Sequence, residues 1–172
     1  MKKFLLFSLM SATLFTTVNS SAQDDKSKRP SPPATVSQTT TTGNKITIDY
    51  SQPIIKGRTI GQDIAPLGKV WRTGANEATT FEITKDALIE GKPLPKGKYS
   101  LYSIPGENSC TIIFNKTWKQ WGTKYTEADD ALRVEAATGK TDSFTEKMTF
   151  TIDKTDKVNL MWGDYMVGFT VK

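Results

Sequence analysis

Alternation is the dominant signal in this chain. In Lys45-Ile46-Thr47-Ile48-Asp49-Tyr50 every second residue is apolar, the period of a strand with one buried face. Residues 36–42 are threonine-rich and extended, and Gly43-Asn44 separates the two as a hairpin turn. Residues 78–84 alternate around Phe81 and Ile83, and residues 87–90 precede a turn at Gly91-Lys92. Pro95-Lys96-Gly97 turns the chain into residues 98–104, which Pro105-Gly106-Glu107-Asn108 ends before a partner strand at 110–115. Strands are expected again at 147–153, 158–162 and 165–171, with turns at Lys154-Thr155-Asp156 and Gly163-Asp164. Many short strands with regular turn signals predict an all-β chain: an antiparallel β-sandwich or half-open barrel of about 8–10 short strands, with little helix. Residues 126–137 carry two signals. Thr126, a run of helix formers and Gly139 suggest a capped helix, while Leu132, Val134 and Ala136 alternate like a strand.

The N-terminus follows a different pattern. Lys2 and Lys3 precede an uncharged, mostly apolar stretch over 4–18, and Ser20-Ser21-Ala22 supplies small residues for cleavage. That is the pattern of a secretory signal peptide cut after Ala22, and the apolar stretch is shorter than the roughly 20 residues a membrane span needs. The mature protein is therefore expected to be secreted or periplasmic, with no transmembrane segment. Residues 23–33 are charged and proline-rich, and a flexible leader is expected there. A single β domain is expected from 34 to 172.

Composition narrows the chemistry. The chain has 172 residues and no histidine. Histidine-based triads and histidine-ligated zinc or copper are excluded. The first 22 residues carry two lysines and no acid, so their removal takes the formal charge from +5 to +3. With scattered lysines and no basic stripe, nucleic acid is not an expected partner. No metal-ligand spacing and no cofactor motif is present. Cys110 is the sole cysteine, beside Thr111-Ile112-Ile113-Phe114, and is expected to be a small buried apolar group.

The irregular stretch between Tyr50 and Thr79 is long for a compact domain. It brings together Lys56, Arg58, Trp71, Arg72, Asn76 and Glu77, the candidate ligand-binding residues. Guanidinium forks match carboxylate, phosphate or sulfate, and Trp71 offers an apolar face. The alternative is internal: Arg72 pairs with Glu77, and Gly74 and Asn76 shape a turn. Trp71, Trp118, Trp121, Trp162, Tyr99, Tyr102 and Tyr125 form either a stacking platform or ordinary core and edge packing.

Three motifs resemble one family: Lys56-Gly57-Arg58, Val70-Trp71-Arg72-Thr73-Gly74-Ala75-Asn76-Glu77-Ala78-Thr79, and Leu94-Pro95-Lys96-Gly97-Lys98-Tyr99-Ser100-Leu101. The chain is similar, from about residue 31 to its end, to the domain of unknown function family 2911, secreted proteins mostly of Bacteroidetes-type bacteria. It departs from the family pattern at Gln52, Gly61 and Leu67, where that pattern has arginine, an aromatic residue and tyrosine. The resemblance implies a strand over 131–137 and no established reaction.

Three functional readings follow. The first is an exported, non-catalytic β domain binding a small anionic or glycan ligand, or a protein partner, through the 53–79 loop. The second is a glycan hydrolase using a carboxylate pair drawn from Asp63, Glu77, Glu107, Asp129, Asp130 and Asp164. The third is a purely structural domain. Periodicity is silent on oligomeric state.

Overall fold

The computed structural model describes residues 25–172. The expected signal peptide lies outside the described residues. Among the described residues nine strands follow one another: β1 (Pro33–Thr39), β2 (Lys45–Ser51), β3 (Thr80–Ile83), β4 (Ala87–Ile89), β5 (Lys92–Leu94), β6 (Gly97–Pro105), β7 (Ser109–Asn115), β8 (Asp130–Ile152) and β9 (Lys157–Thr170). Seven of them form one antiparallel sheet in the order β1-β2-β3-β6-β7-β8-β9, and β4 and β5 make a small second ribbon. The sheet curls into a half-barrel. The half-open barrel, rather than the sandwich, is the form this all-β chain takes.

The curl follows from where the apolar residues fall. Ile46 and Ile48 on β2, Phe81 on β3, Leu101 on β6 and Ile112 and Phe114 on β7 occupy one face and are fully buried. Phe169 on β9 joins them. Its ring centroid lies 6.1 Å from that of Phe81 and 5.9 Å from that of Phe114. β3 and β9 are four places apart in the sheet, so only a strongly curved sheet brings these rings together. Each large aromatic buried this way stabilises the fold by roughly 1.5–3 kcal/mol. Cys110 is buried in the same core, and burial pushes its thiol up to about 11, so it is protonated at neutral pH.

β6 is covered on both faces. Its inward side chains, Tyr99 and Leu101, enter the core. Its outward ones, Ser100 and Tyr102, are also buried, beneath the chain that follows β7. Ser100 Oγ donates to Thr117 O (3.0 Å), and Tyr102 Oη donates to Lys124 O (3.2 Å) while accepting from Gln120 Nε2 (3.2 Å). This second layer brings residues 116–126 against the long β2–β3 connection.

Two features differ from the pattern read in the sequence. The segments at 158–162 and 165–171 are one strand, and Gly163 (φ +64°) kinks it instead of ending it. A glycine supplies that left-handed geometry without the Cβ penalty. Likewise 147–153 is the far half of β8, whose pairing with β9 shifts register between Lys140 and Thr149. The contested segment resolves as a one-turn 3-10 helix at Glu127–Asp129 followed directly by strand, so residues 131–137 are β.

Candidate functional site

Residues 71–79 fold as a tight loop beside β6. Trp71 exchanges backbone hydrogen bonds with Ser103, its N–H to Ser103 O at 2.7 Å and its O from Ser103 N at 3.0 Å. The next residues turn away and lock together. Thr73 Oγ1 donates to Ser103 Oγ (2.9 Å), Thr79 Oγ1 donates to Thr73 O (2.8 Å), and both threonines are fully buried. A Cβ at Gly74 would lie 2.6 Å from Thr79 Oγ1, which explains the glycine. Asn76 takes a left-handed φ of +60° and donates from Nδ2 to Ser31 O (3.1 Å) and Ser51 Oγ (3.3 Å). A neighbouring segment seals the loop: Gly122 N donates to Asn76 O (2.9 Å) and Ala78 N to Gln120 O (3.0 Å).

Most of this motif therefore serves the backbone, but Arg72 differs. It is half-buried, and its one hydrogen bond among the described residues runs from Nε to Gly74 O (3.2 Å). Its two terminal nitrogens have no protein acceptor there. The side chain forms part of the wall of a cavity of about 740 Å³, together with Arg58, Asp63, Trp71, Tyr102, Tyr125 and Trp162. Trp71 lies parallel to Trp162 with centroids 5.4 Å apart and 7° between the rings. Trp162 is buried, and its indole N–H lacks a partner among the described residues. Tyr102 and Tyr125 pack ring to ring at 4.9 Å.

Arg58, Asp63 and Tyr125 on the same wall are already engaged. Arg58 turns back on its own loop, Nε to Ile55 O (3.0 Å) and Nη2 to Ile54 O (2.5 Å). Asp63 Oδ2 accepts from Thr59 N at 2.8 Å. Tyr125 Oη donates to Asp130 Oδ2 (2.7 Å) and accepts from Arg133 Nη2 (2.6 Å). Burial, with that bond to Asp130, pushes the Tyr125 hydroxyl up to about 12.

Residues 31–171 match the family described as Protein of unknown function (DUF2911). The chain belongs to the DUF2911 family. No curated protein and no solved structure matches it.

The six candidate residues of this DUF2911 protein separate. Arg58, Trp71 and Arg72 meet at the large cavity. Lys56 is exposed at a bend (φ +49°), takes no part in that wall, and donates its N–H to Glu146 Oε1 (2.9 Å). Asn76 is a backbone anchor. Glu77 points to the opposite side of the loop, into a smaller recess of about 280 Å³. The internal pairing of Arg72 with Glu77 is not formed. Glu77 instead holds Lys26 Nζ (2.8 Å) and Arg29 Nη1 (2.9 and 3.1 Å) from the leader. The Lys26 ammonium, with help from Arg29, holds its carboxyl down at about 2.

Four of the six carboxylates proposed as a hydrolytic pair are bound to protein donors. Beyond Asp63 and Glu77, Asp129 accepts from Thr117 Oγ1 (2.9 Å) and Asp130 from Asn115, Tyr125 and Arg133. Glu107 and Asp164 share a shallow recess of about 230 Å³ in which Asp164 faces Lys140 at 3.8 Å. No group of three or more acidic or cysteine side chains among the described residues is placed to hold a metal ion. No helix among them is long and apolar enough to cross a membrane. Trp118 and Trp121 do not share a site: Trp118 lies under the Lys98 ammonium at 5.2 Å in the smaller recess, and Trp121 is outside both cavities. Gly122 is the contributor that sequence patterning missed. A Cβ there would sit 2.8 Å from Arg72 Cδ, so the arginine stem lies across a residue that has no side chain.

Proposed function

We propose that this DUF2911 protein is exported and works as a non-catalytic binding domain, taking a small anionic ligand into the cavity between the 53–79 loop and residues 122–125. The observation that carries this reading is the guanidinium of Arg72, half-buried on the cavity wall with both terminal nitrogens lacking an acceptor among the described residues. A guanidinium whose terminal nitrogens have no protein acceptor can give both of them to the oxygens of a bound anion. The aromatic wall beside it supplies contact area, and the volume suits a small organic molecule. The signal-peptide pattern of residues 1–22 supports export to the periplasm or beyond.

Thermal-shift titration of the mature protein with simple carboxylates, phosphates and glycans tests this. A ligand at one hundred times its Kd adds about 2.7 kcal/mol of apparent stability, and Trp71 fluorescence should change with it. Arg72→Ala should remain folded and lose both responses. A folded wild-type protein that no member of the panel stabilises would overturn the reading.

A further inference from the structure

The cavity selects among anions more narrowly than its charge alone suggests. We infer that its ligand is a monocarboxylate carried on a flat apolar body, an aryl-alkanoic acid in chemical class; this rests on the binding reading above and specifies it.

Two arginines and one aspartate line the cavity, which leaves one net positive charge. Arg58 directs Nε and Nη2 to the carbonyls of Ile55 and Ile54, so Arg72 is the arginine of this wall with both terminal nitrogens unengaged among the described residues. One fork matches the two oxygens of one carboxylate. A phosphate monoester brings a second charge and a third oxygen, and is usually met by further cations or by backbone N–H groups at a helix N-terminus. Here the wall's second cation, Arg58, is turned onto two main-chain carbonyls, and among the described residues no helix N-terminus lines the wall.

The remaining surface decides the body of the ligand. Sugars need many directed hydrogen bonds. Here the Tyr102 hydroxyl is engaged by Lys124 and Gln120, and that of Tyr125 by Asp130 and Arg133. What the two tyrosine rings still present is carbon. Trp71 lies flat on Trp162, and Ile64, Pro66 and Val70 add aliphatic surface. Flat rings stacked this way favour a flat apolar partner.

Gly122 fixes the geometry. Because it has no side chain, the Arg72 stem rests against the Gly122–Asn76 backbone contact, and no carboxylate among the described residues pairs with its fork. The guanidinium is therefore a preformed receptor, not one recruited from an ion pair.

Isothermal titration with one ring and three head groups tests the assignment: 2-naphthylacetate, its primary amide and 2-naphthyl phosphate, with glucuronate as a carboxylate on a polar body. The acid should bind at least tenfold tighter than the amide, the phosphate and glucuronate. Arg72→Lys, which keeps the charge but loses the fork, should weaken the acid about tenfold and leave the amide unchanged. Equal binding of acid and amide, or tighter binding of the phosphate or glucuronate, would overturn the carboxylate assignment while leaving the cavity a binding site. Failure of all four probes overturns the assignment as well. If the wider thermal-shift panel is also silent, the binding reading fails with it. The acid-to-amide ratio is measured on the wild-type protein, so the test survives a variant that does not fold.

Discussion

Gly122 and Arg72 pack against each other in a way that no property of either residue discloses alone. An alanine at 122 would press on Arg72 Cδ at 2.8 Å and on Asn76 O at 3.0 Å, so the arginine stem must leave its place. Overpacking of this kind costs about 1–3 kcal/mol. Gly122→Ala should therefore lower the melting temperature by roughly 2–4 °C per kcal/mol lost and abolish the ligand response as completely as Arg72→Ala does. Calorimetry and the naphthylacetate titration measure the two effects separately; an unchanged affinity would show that Gly122 does not position Arg72. The tryptophan-arginine motif was legible in the sequence as an unusual concentration of polar and aromatic residues in a long loop. Its division of labour was not. Glu77 lies five residues from Arg72, yet its partners Lys26 and Arg29 come from a segment about fifty residues earlier, and spacing along one strand of sequence carries no information about that approach. A glycine likewise gives no hint that its missing side chain makes room for a neighbour.

Among the elements, the leader is held to the sheet by hydrogen bonds to its main chain and by one carboxylate whose grip pH can release. Ser31 O accepts from Asn76, Gln52 N donates to Pro32 O, and Glu77 grips Lys26 and Arg29. The Glu77 carboxyl sits at about 2 in the folded protein against an ordinary value of 4.5. A depressed acid stabilises the docked form fully above the ordinary value, and that contribution disappears as pH falls from about 4.5 through 2. Glu77 is 41% exposed, so water screens the pair and the effect belongs on the scale of about 0.2–1 kcal/mol. Tryptic cleavage after Lys26 and Lys28 should be slow at neutral pH and several-fold faster in Glu77→Gln. Amide exchange across residues 27–31 should rise over the same acid window in the wild type and not in the variant. Equal exchange in both proteins at pH 7 would show that the ion pair does not hold the leader. The strands themselves were largely readable, because one-sided burial imposes period two on Ile46, Ile48 and Tyr50 and again on Leu132, Val134 and Ala136. What failed was punctuation. Gly163-Asp164 has the composition of a turn, but the left-handed Gly163 bends β9 across the curved sheet, and curvature is a demand of the whole barrel that no local window contains.

That curvature leaves a seam where β1 and β2 approach the far half of β8, and side chains complete what the strand ladder does not. Backbone pairing carries on briefly through Ile55 N to Glu146 O (3.2 Å) and Met148 N to Pro53 O (3.0 Å). Beyond it, Gln52 Nε2 donates to Met148 O (3.1 Å), and the buried N–H of Phe150 donates to the Tyr50 hydroxyl (3.1 Å). The Tyr50 ring also meets that of Phe150 edge-on at 5.0 Å. Gln52 is thus a closing residue at the seam, on a main-chain carbonyl where its single amide suffices. Phenylalanine at position 50 preserves the ring contact and removes only the oxygen. It leaves the Phe150 N–H buried with no acceptor, a loss of about 1–3 kcal/mol. The 53–55 segment that closes the seam leads directly into Arg58 and the cavity wall, so the same variant should loosen the site as well as the barrel. Tyr50→Phe is therefore expected to lower the melting temperature by several degrees, to speed exchange of the Phe150 and Met148 amides, and to weaken naphthylacetate binding by less than Arg72→Ala does. Unchanged exchange at Phe150 would mean that the half-barrel is held shut by its aromatic core alone, and that the hydroxyl bridging its seam is dispensable.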